Sequence, residues 1–121
     1  MKRIAVVDDE QDITTVLKRG LEHHGFAVEI FNNPLDALAG FKPGHYDLMI
    51  IDIRMPKMNG FDLYRELKRK DPSVKVCFLT AFEIYYDEFR KMFPTIDVRS
   101  FVRKPVSIST LVSQVNATIE S

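Results

Sequence analysis

Only one cysteine, Cys77, stands among the 121 residues, and tryptophan is absent. One thiol excludes an intrachain disulfide framework and fits a reducing compartment. Neither sign of charge is in excess, since Lys+Arg 17 balance Asp+Glu 17. Such a balance argues against a chain whose main task is neutralising phosphates along a nucleic acid or coating an anionic membrane, so any anion it handles must be met by a local site. No apolar run approaches the roughly 20 residues that a membrane helix needs. The opening MKRIAVVDDE turns acidic at once, which denies it the form of a signal peptide. The expectation is a cytoplasmic protein with no direct nucleic-acid or membrane contact. Repeats, low-complexity stretches and Ser/Pro/Gly-rich linkers are also missing, so a single domain is expected over residues 1–121. A chain of this length buries roughly two thirds of its unfolded surface and needs no metal or disulfide staple to fold.

What is present is an alternation of two patterns. The runs Ile4 to Val7, Leu48 to Ile51 and Val74 to Leu79 are short, aliphatic and nearly continuous, as in strands buried on both faces. Ala27 to Phe31 and Val98 to Val102 each carry a polar or charged residue and read as edge or partly exposed strands. Between them, Ile13, Val16, Leu17, Gly20 and Leu21, then Leu35, Leu38 and Phe41, recur at helical spacing and predict one apolar stripe each. A third helix is expected from about Gly60 to Lys70, and a last one from about Ser107 to Glu120 with Ile108, Leu111, Val112, Val115 and Ile119 facing inward. The punctuation agrees: Asn33 and Pro34 at a start, Gly25 after the first helix, Asn59 before the third and Pro72 after it. The pattern predicts an α/β fold with a five-stranded parallel sheet covered on both faces.

In open sheets of this kind ligands bind at the carboxyl ends of the strands. The residues expected there are Asp8 and Asp9 after the first strand, Asp52 after the third, Thr80 after the fourth, and Lys104 with Pro105 after the fifth. Carboxylates crowded together repel, so either one keeps a proton or a hard cation sits among them, and Mg²⁺ suits such oxygen ligands. A lysine ammonium and a threonine hydroxyl suit phosphoryl oxygens, and a carboxylate can serve as nucleophile toward phosphorus. Singly, each residue has a plainer reading. Asp8, Asp9 and Glu10 suit a helix cap, Asp52 a turn, Thr80 a cap and Lys104 a solvated loop. Four strand ends converging on one chemistry is the more economical account.

With these residues in view, the whole chain resembles the receiver domain of two-component response regulators. The resemblance rests on the Asp8–Asp9 pair, on Asp52, Ile53, Arg54, Met55 and Pro56 followed by Met58, Asn59 and Gly60, on Thr80 with Ala81, and on Lys104 with Pro105. It implies a flavodoxin-like doubly wound sheet of order 2-1-3-4-5 with five helices, and a cis bond before Pro105. It also implies a phosphoacceptor at Asp52. Mg²⁺ would be held by Asp9, Asp52 and the backbone carbonyl of Arg54, with Asp8 acting through water. Thr80 and Lys104 would contact the phosphoryl group, and Phe101 would be the aromatic coupled to Thr80, although a phenylalanine there is also ordinary core. Arg54 and Phe82 would flank the path of a hydrolytic water and slow the loss of the phosphoryl group.

The partners implied are a histidine kinase or phosphotransfer protein as donor, and an effector or second copy on the face of the fourth helix, fifth strand and fifth helix. One departure is the stretch Pro94, Thr95, Ile96, Asp97, where the family has an Ala/Gly-rich helix end. Phe82, Tyr85, Tyr86, Phe89 and Phe93, with Ile84 and Met92, are more aromatic and apolar residues than one helix stripe can bury. They suit either an exposed partner patch or an irregular, buried helix. Two rivals remain: a receiver-like interaction module acting without phosphorylation, and a Mg²⁺ phosphohydrolase of the haloacid dehalogenase type. The latter would want a second Asp where Arg54 stands. His23 and His24 are adjacent, about 100° apart on a helix, and do not suit a shared metal. Lys68, Arg69 and Lys70 read as a solvated helix end.

Overall fold

The structure, a computed structural model, describes residues 1–81, 91 and 101–120. Five parallel strands form one sheet: β1 Arg3–Val7, β2 Ala27–Phe31, β3 Leu48–Asp52, β4 Val76–Thr80 and β5 Phe101–Arg103. Their order is β2-β1-β3-β4-β5. Hydrophobicity separates centre from edge: β3 and β4 are buried along their whole length, while β2, at the edge, is only half-buried. Val7 pairs with Phe31 on one side and Ile51 on the other, Asp52 with Leu79, and Thr80 with Arg103, so the strand ends align at one edge.

Four helices fall among the described residues: α1 Gln11–His23, α2 Pro34–Gly40, α3 Gly60–Lys70 and α4 Ile108–Glu120. The fifth expected helix, between β4 and β5, lies outside the described residues, as do residues 98–100 of the expected last strand. Two sequence-predicted caps are in place. The Asn33 side chain accepts from the N–H of Leu35 and Asp36, and that of Asn59 accepts from Asp62. Gly25 ends α1 with φ +90, a left-handed conformation that glycine adopts without penalty.

Alternation along the strands divides the core into two layers. One gathers Val7, Met49, Ile51 and Phe78 against Phe61, Leu63 and Leu67 of α3. The other gathers Ile4, Val6, Ile50 and Leu79 against Leu17 and Leu21 of α1 and Leu111 and Val115 of α4. Gly20 brings α1 onto α4, because a β-carbon there would collide with the side chain of Ile108. Cys77 is fully buried, and burial pushes its thiol up to about 12, which leaves it a core residue without thiolate chemistry.

Two stripe residues depart from expectation. Val16 is 59% exposed and Leu35 is 44% exposed, although both fit the helical period. Helix α1 rests on Thr14, Leu17 and Leu21, and α2 on Pro34 and Ala37, so residues one step around the helix turn away from the sheet. The strand predicted over Val74 to Leu79 begins instead at Val76 and reaches Thr80, because Val74 closes a turn by donating to the Asp71 carbonyl.

Candidate functional site

The aligned strand ends carry the site. Asp8 leaves β1 fully buried, and its position is fixed from three sides. Its N–H donates to the Phe31 carbonyl at 3.1 Å. Its Oδ1 accepts from the Glu10 N–H at 3.0 Å. The Asn32 amide donates to its carbonyl at 3.1 Å and to the Thr14 hydroxyl at 2.9 Å, tying β1, β2 and α1 together. Asn32 and the buried Thr14 are positioning residues that sequence reasoning missed; a polar residue on an apolar helix stripe, as Thr14 is, was the available signal. Asp9 and Glu10 follow in the open.

Asp52 ends β3 and is buried. The loop after it folds back tightly: the Gly60 N–H donates to the Ile53 carbonyl at 2.8 Å, and Lys57 takes a left-handed φ of 73. Gly60 permits this return, since a β-carbon would press into the Asp52 carbonyl and Ile53 Cα. Arg54 is exposed on the rim. Thr80, buried at the end of β4, accepts through its carbonyl from the Lys104 N–H at 2.8 Å. The bond between Lys104 and Pro105 is cis, as the resemblance implied.

Lys104 closes the site. Its Nζ lies 2.8 Å from Asp8 Oδ2, 3.4 Å from Asp52 Oδ2 and 3.5 Å from Glu10 Oε1. Burial by itself would lower the ammonium's pKa, but the bond to Asp8 and the charges of Asp52, Asp8 and Glu10 outweigh it and hold the pKa above its ordinary value. Burial, then the charge of Asp8, pushes the Asp52 carboxyl from 3.8 up to about 6, against the pull of Lys104.

Asp8, Asp9, Glu10 and Asp52 each turn a carboxylate oxygen to a common point, these atoms lying within 4.8 Å of one another. Asp8 Oδ2 is buried and faces the Lys104 ammonium at 2.8 Å, so its charge is held inside the protein by that one cation. An all-oxygen donor set of four carboxylates beside a single ammonium fits a hard divalent cation such as Mg²⁺. Among the described residues no other cluster of this kind occurs. His23 and His24 meet only edge to face, and Arg69 of the basic run pairs with Glu66 at 3.1 Å.

Phe101 is half-buried and stacks on Phe78 at 5.5 Å. Beside Lys104 opens an apolar cavity of about 440 Å³ lined by Ile13, Val16, Leu17, Leu79, Pro105 and Val106. Phe82, Ile84, Tyr85, Tyr86, Phe89, Met92 and Phe93 lie outside the described residues.

Parallel strands in this order, with acids closing β1 and β3, a hydroxyl closing β4 and Lys-cis-Pro closing β5, define a receiver domain. The chain belongs to the response regulator receiver domain family, which it matches over residues 4–116. It is 31% identical over 115 residues to the transcriptional regulatory protein PcoR of Escherichia coli, covering 95% of this chain and 50% of that protein. It thus spans about half the length of the curated relatives it matches. The response regulator receiver domain protein of Clostridium thermocellum superposes with a TM-score of 0.87 at 30% identity, over 99% of this chain and 95% of that one. The response regulator TrrA of Thermotoga maritima, solved with Mg²⁺ and BeF, superposes at 0.83 with 32% identity, over 98% and 99%. No helix among the described residues is long and apolar enough to cross a membrane.

Proposed function

We propose that this chain, as one receiver domain throughout, accepts a phosphoryl group on Asp52 from a histidine kinase or phosphotransfer protein in a Mg²⁺-dependent reaction. The carrying observation is the convergence on one ammonium, Lys104, of carboxylates from the ends of β1 and β3. A carboxylate oxygen of Asp52 forms the bond to phosphorus as the P–N bond to the donor imidazole breaks, its electron pair staying on the leaving nitrogen. Lys104 exchanges its hold on Asp52 for a phosphoryl oxygen, and the Thr80 hydroxyl donates to another. Asp9, Asp52 and the Arg54 carbonyl, with Asp8 through water, would hold Mg²⁺, which neutralises phosphoryl charge when bound. TrrA, solved with Mg²⁺ and BeF, supports this reading by likeness.

A protein donor must also be held in line with Asp52. The cavity beside Lys104, with Val16 exposed on its wall, suits an apolar helix of the donor because it opens beside the reacting group. Rearrangement of Thr80 then repacks Phe101 and alters the output face toward α4, where an effector or a second copy docks. Incubation with Mg²⁺ and acetyl phosphate should add one phosphoryl group by intact mass, and Asp52→Asn should abolish it. Binding of a partner without any labelling would favour an interaction module instead.

A further inference from the structure

Glu10 occupies the N-cap position of α1, yet its side chain makes no capping hydrogen bond. Short polar side chains such as Ser, Thr, Asp and Asn cap from this position, and the longer glutamate is free to reach elsewhere. The Glu10 carboxylate turns across the site instead, 3.5 Å from the Lys104 ammonium and within 4.8 Å of the carboxylates of Asp8, Asp9 and Asp52. It is the most exposed of the groups paired with Lys104, so it can let go without leaving a buried charge unpaired.

We propose that Glu10 is a positioning residue that trades phosphoryl affinity for cation affinity. The inference rests on the reading of Asp52 as phosphoacceptor and concerns the regulation of that site. Four carboxylates against one ammonium leave the site with three negative charges. A divalent cation reduces that excess to one, and the same site with a neutral residue 10 would then be balanced. Glu10 therefore draws the cation in by Coulomb attraction. Toward an incoming phosphoryl group it acts in the opposite sense twice. It faces the anion with like charge, and it competes for the ammonium that must contact it. Because Glu10 is exposed, both effects are screened and modest.

The test compares wild type with Glu10→Gln, which keeps the shape and removes the charge. Mg²⁺ alone is titrated by calorimetry, and beryllofluoride is titrated at saturating Mg²⁺ by fluorine NMR. The variant should bind Mg²⁺ roughly three- to ten-fold more weakly and beryllofluoride a similar factor more tightly, both differences shrinking as salt is raised. Glu10→Asp should move both constants back toward wild type. Unchanged constants, or two shifts in the same direction, would overturn the proposal and leave Glu10 a solvated residue at a helix start. If the wild type itself takes up neither Mg²⁺ nor beryllofluoride, the phosphoacceptor reading fails, and this inference falls with it.

Discussion

The Lys104 ammonium sits 2.8 Å from a carboxylate oxygen of Asp8 that has no exposure to solvent, joining the loop after β5 to the end of β1. Lys104 is thus the resting counter-ion of a buried acid as well as the proposed contact for a phosphoryl group. Lys104→Ala should destabilise the metal-free protein by on the order of 3 kcal/mol, because removing one partner strands the other charge. Added Mg²⁺ should recover much of that loss, since a cation among the same oxygens replaces the missing charge. Thermal melts with EDTA and with Mg²⁺ check this; an equal deficit in both would show that Lys104 acts mainly by packing.

Asp52 makes metal-free stability depend on pH with a definite sign. Its carboxyl titrates near 6 in the fold against an ordinary 3.8, so between these values the folded state binds more protons than the unfolded state. The contribution of this group therefore falls as pH rises from about 4 to about 6 and stays low above. Asp52→Asn removes the penalty: it should melt higher than wild type at pH 7 to 8 in EDTA, with the gap closing toward pH 4. A lower melting temperature for the variant at pH 7 would mean that attraction to Lys104 outweighs burial.

Gly60 is where α3 touches the backbone of Asp52, the proposed phosphoacceptor. Gly60→Ala forces a methyl group into the Asp52 carbonyl and Ile53, and should cost about 1–3 kcal/mol. The displaced Asp52 should also label more slowly with acetyl phosphate. Denaturant unfolding and intact mass read the two effects separately.

Val16 should separate the two proposed routes of phosphorylation, by a protein donor and by a small phosphodonor. Val16→Asp adds a charge to the wall of the apolar cavity without touching the buried face of α1. Transfer from a protein donor should drop by roughly ten-fold or more, as for a charge set against an apolar contact. Labelling by acetyl phosphate should not change. A loss by both routes would place the damage at the site.

Persistence of the phosphoryl group tests Arg54 and Phe82. A small polar residue at either position should speed loss of the label without slowing its uptake, because uptake uses a donor already aligned and needs no water. Following intact mass after removal of the donor gives the rate. Equal lifetimes in wild type and both variants would assign persistence to other residues.

Much of this architecture was legible in the chain. Continuous aliphatic runs marked β1, β3 and β4, since a strand buried on both faces has no polar side to show. Asn33, Asn59 and Gly25 marked helix ends, because capping and left-handed backbone demand particular side chains. The acids, threonine and lysine could be read together once each was assigned to a strand end. Val16 and Leu35 could not be read correctly, because helical period marks residues that share a face and is silent on which of them the neighbouring sheet covers.

Sequence by itself determined the elements, their alternation and the chemical types gathered at one edge of the sheet, because local propensity and hydrophobic period are written in consecutive residues. Only the tertiary structure decided that Lys104 spans Asp8, Asp52 and Glu10, that Thr14 and Asn32 anchor the end of β1, and that Glu10 faces the site rather than capping α1. These relationships join residues distant along the chain, and their strength depends on burial and separation. Charge pairing and desolvation are set by where the packed sheet and helices bring such groups together.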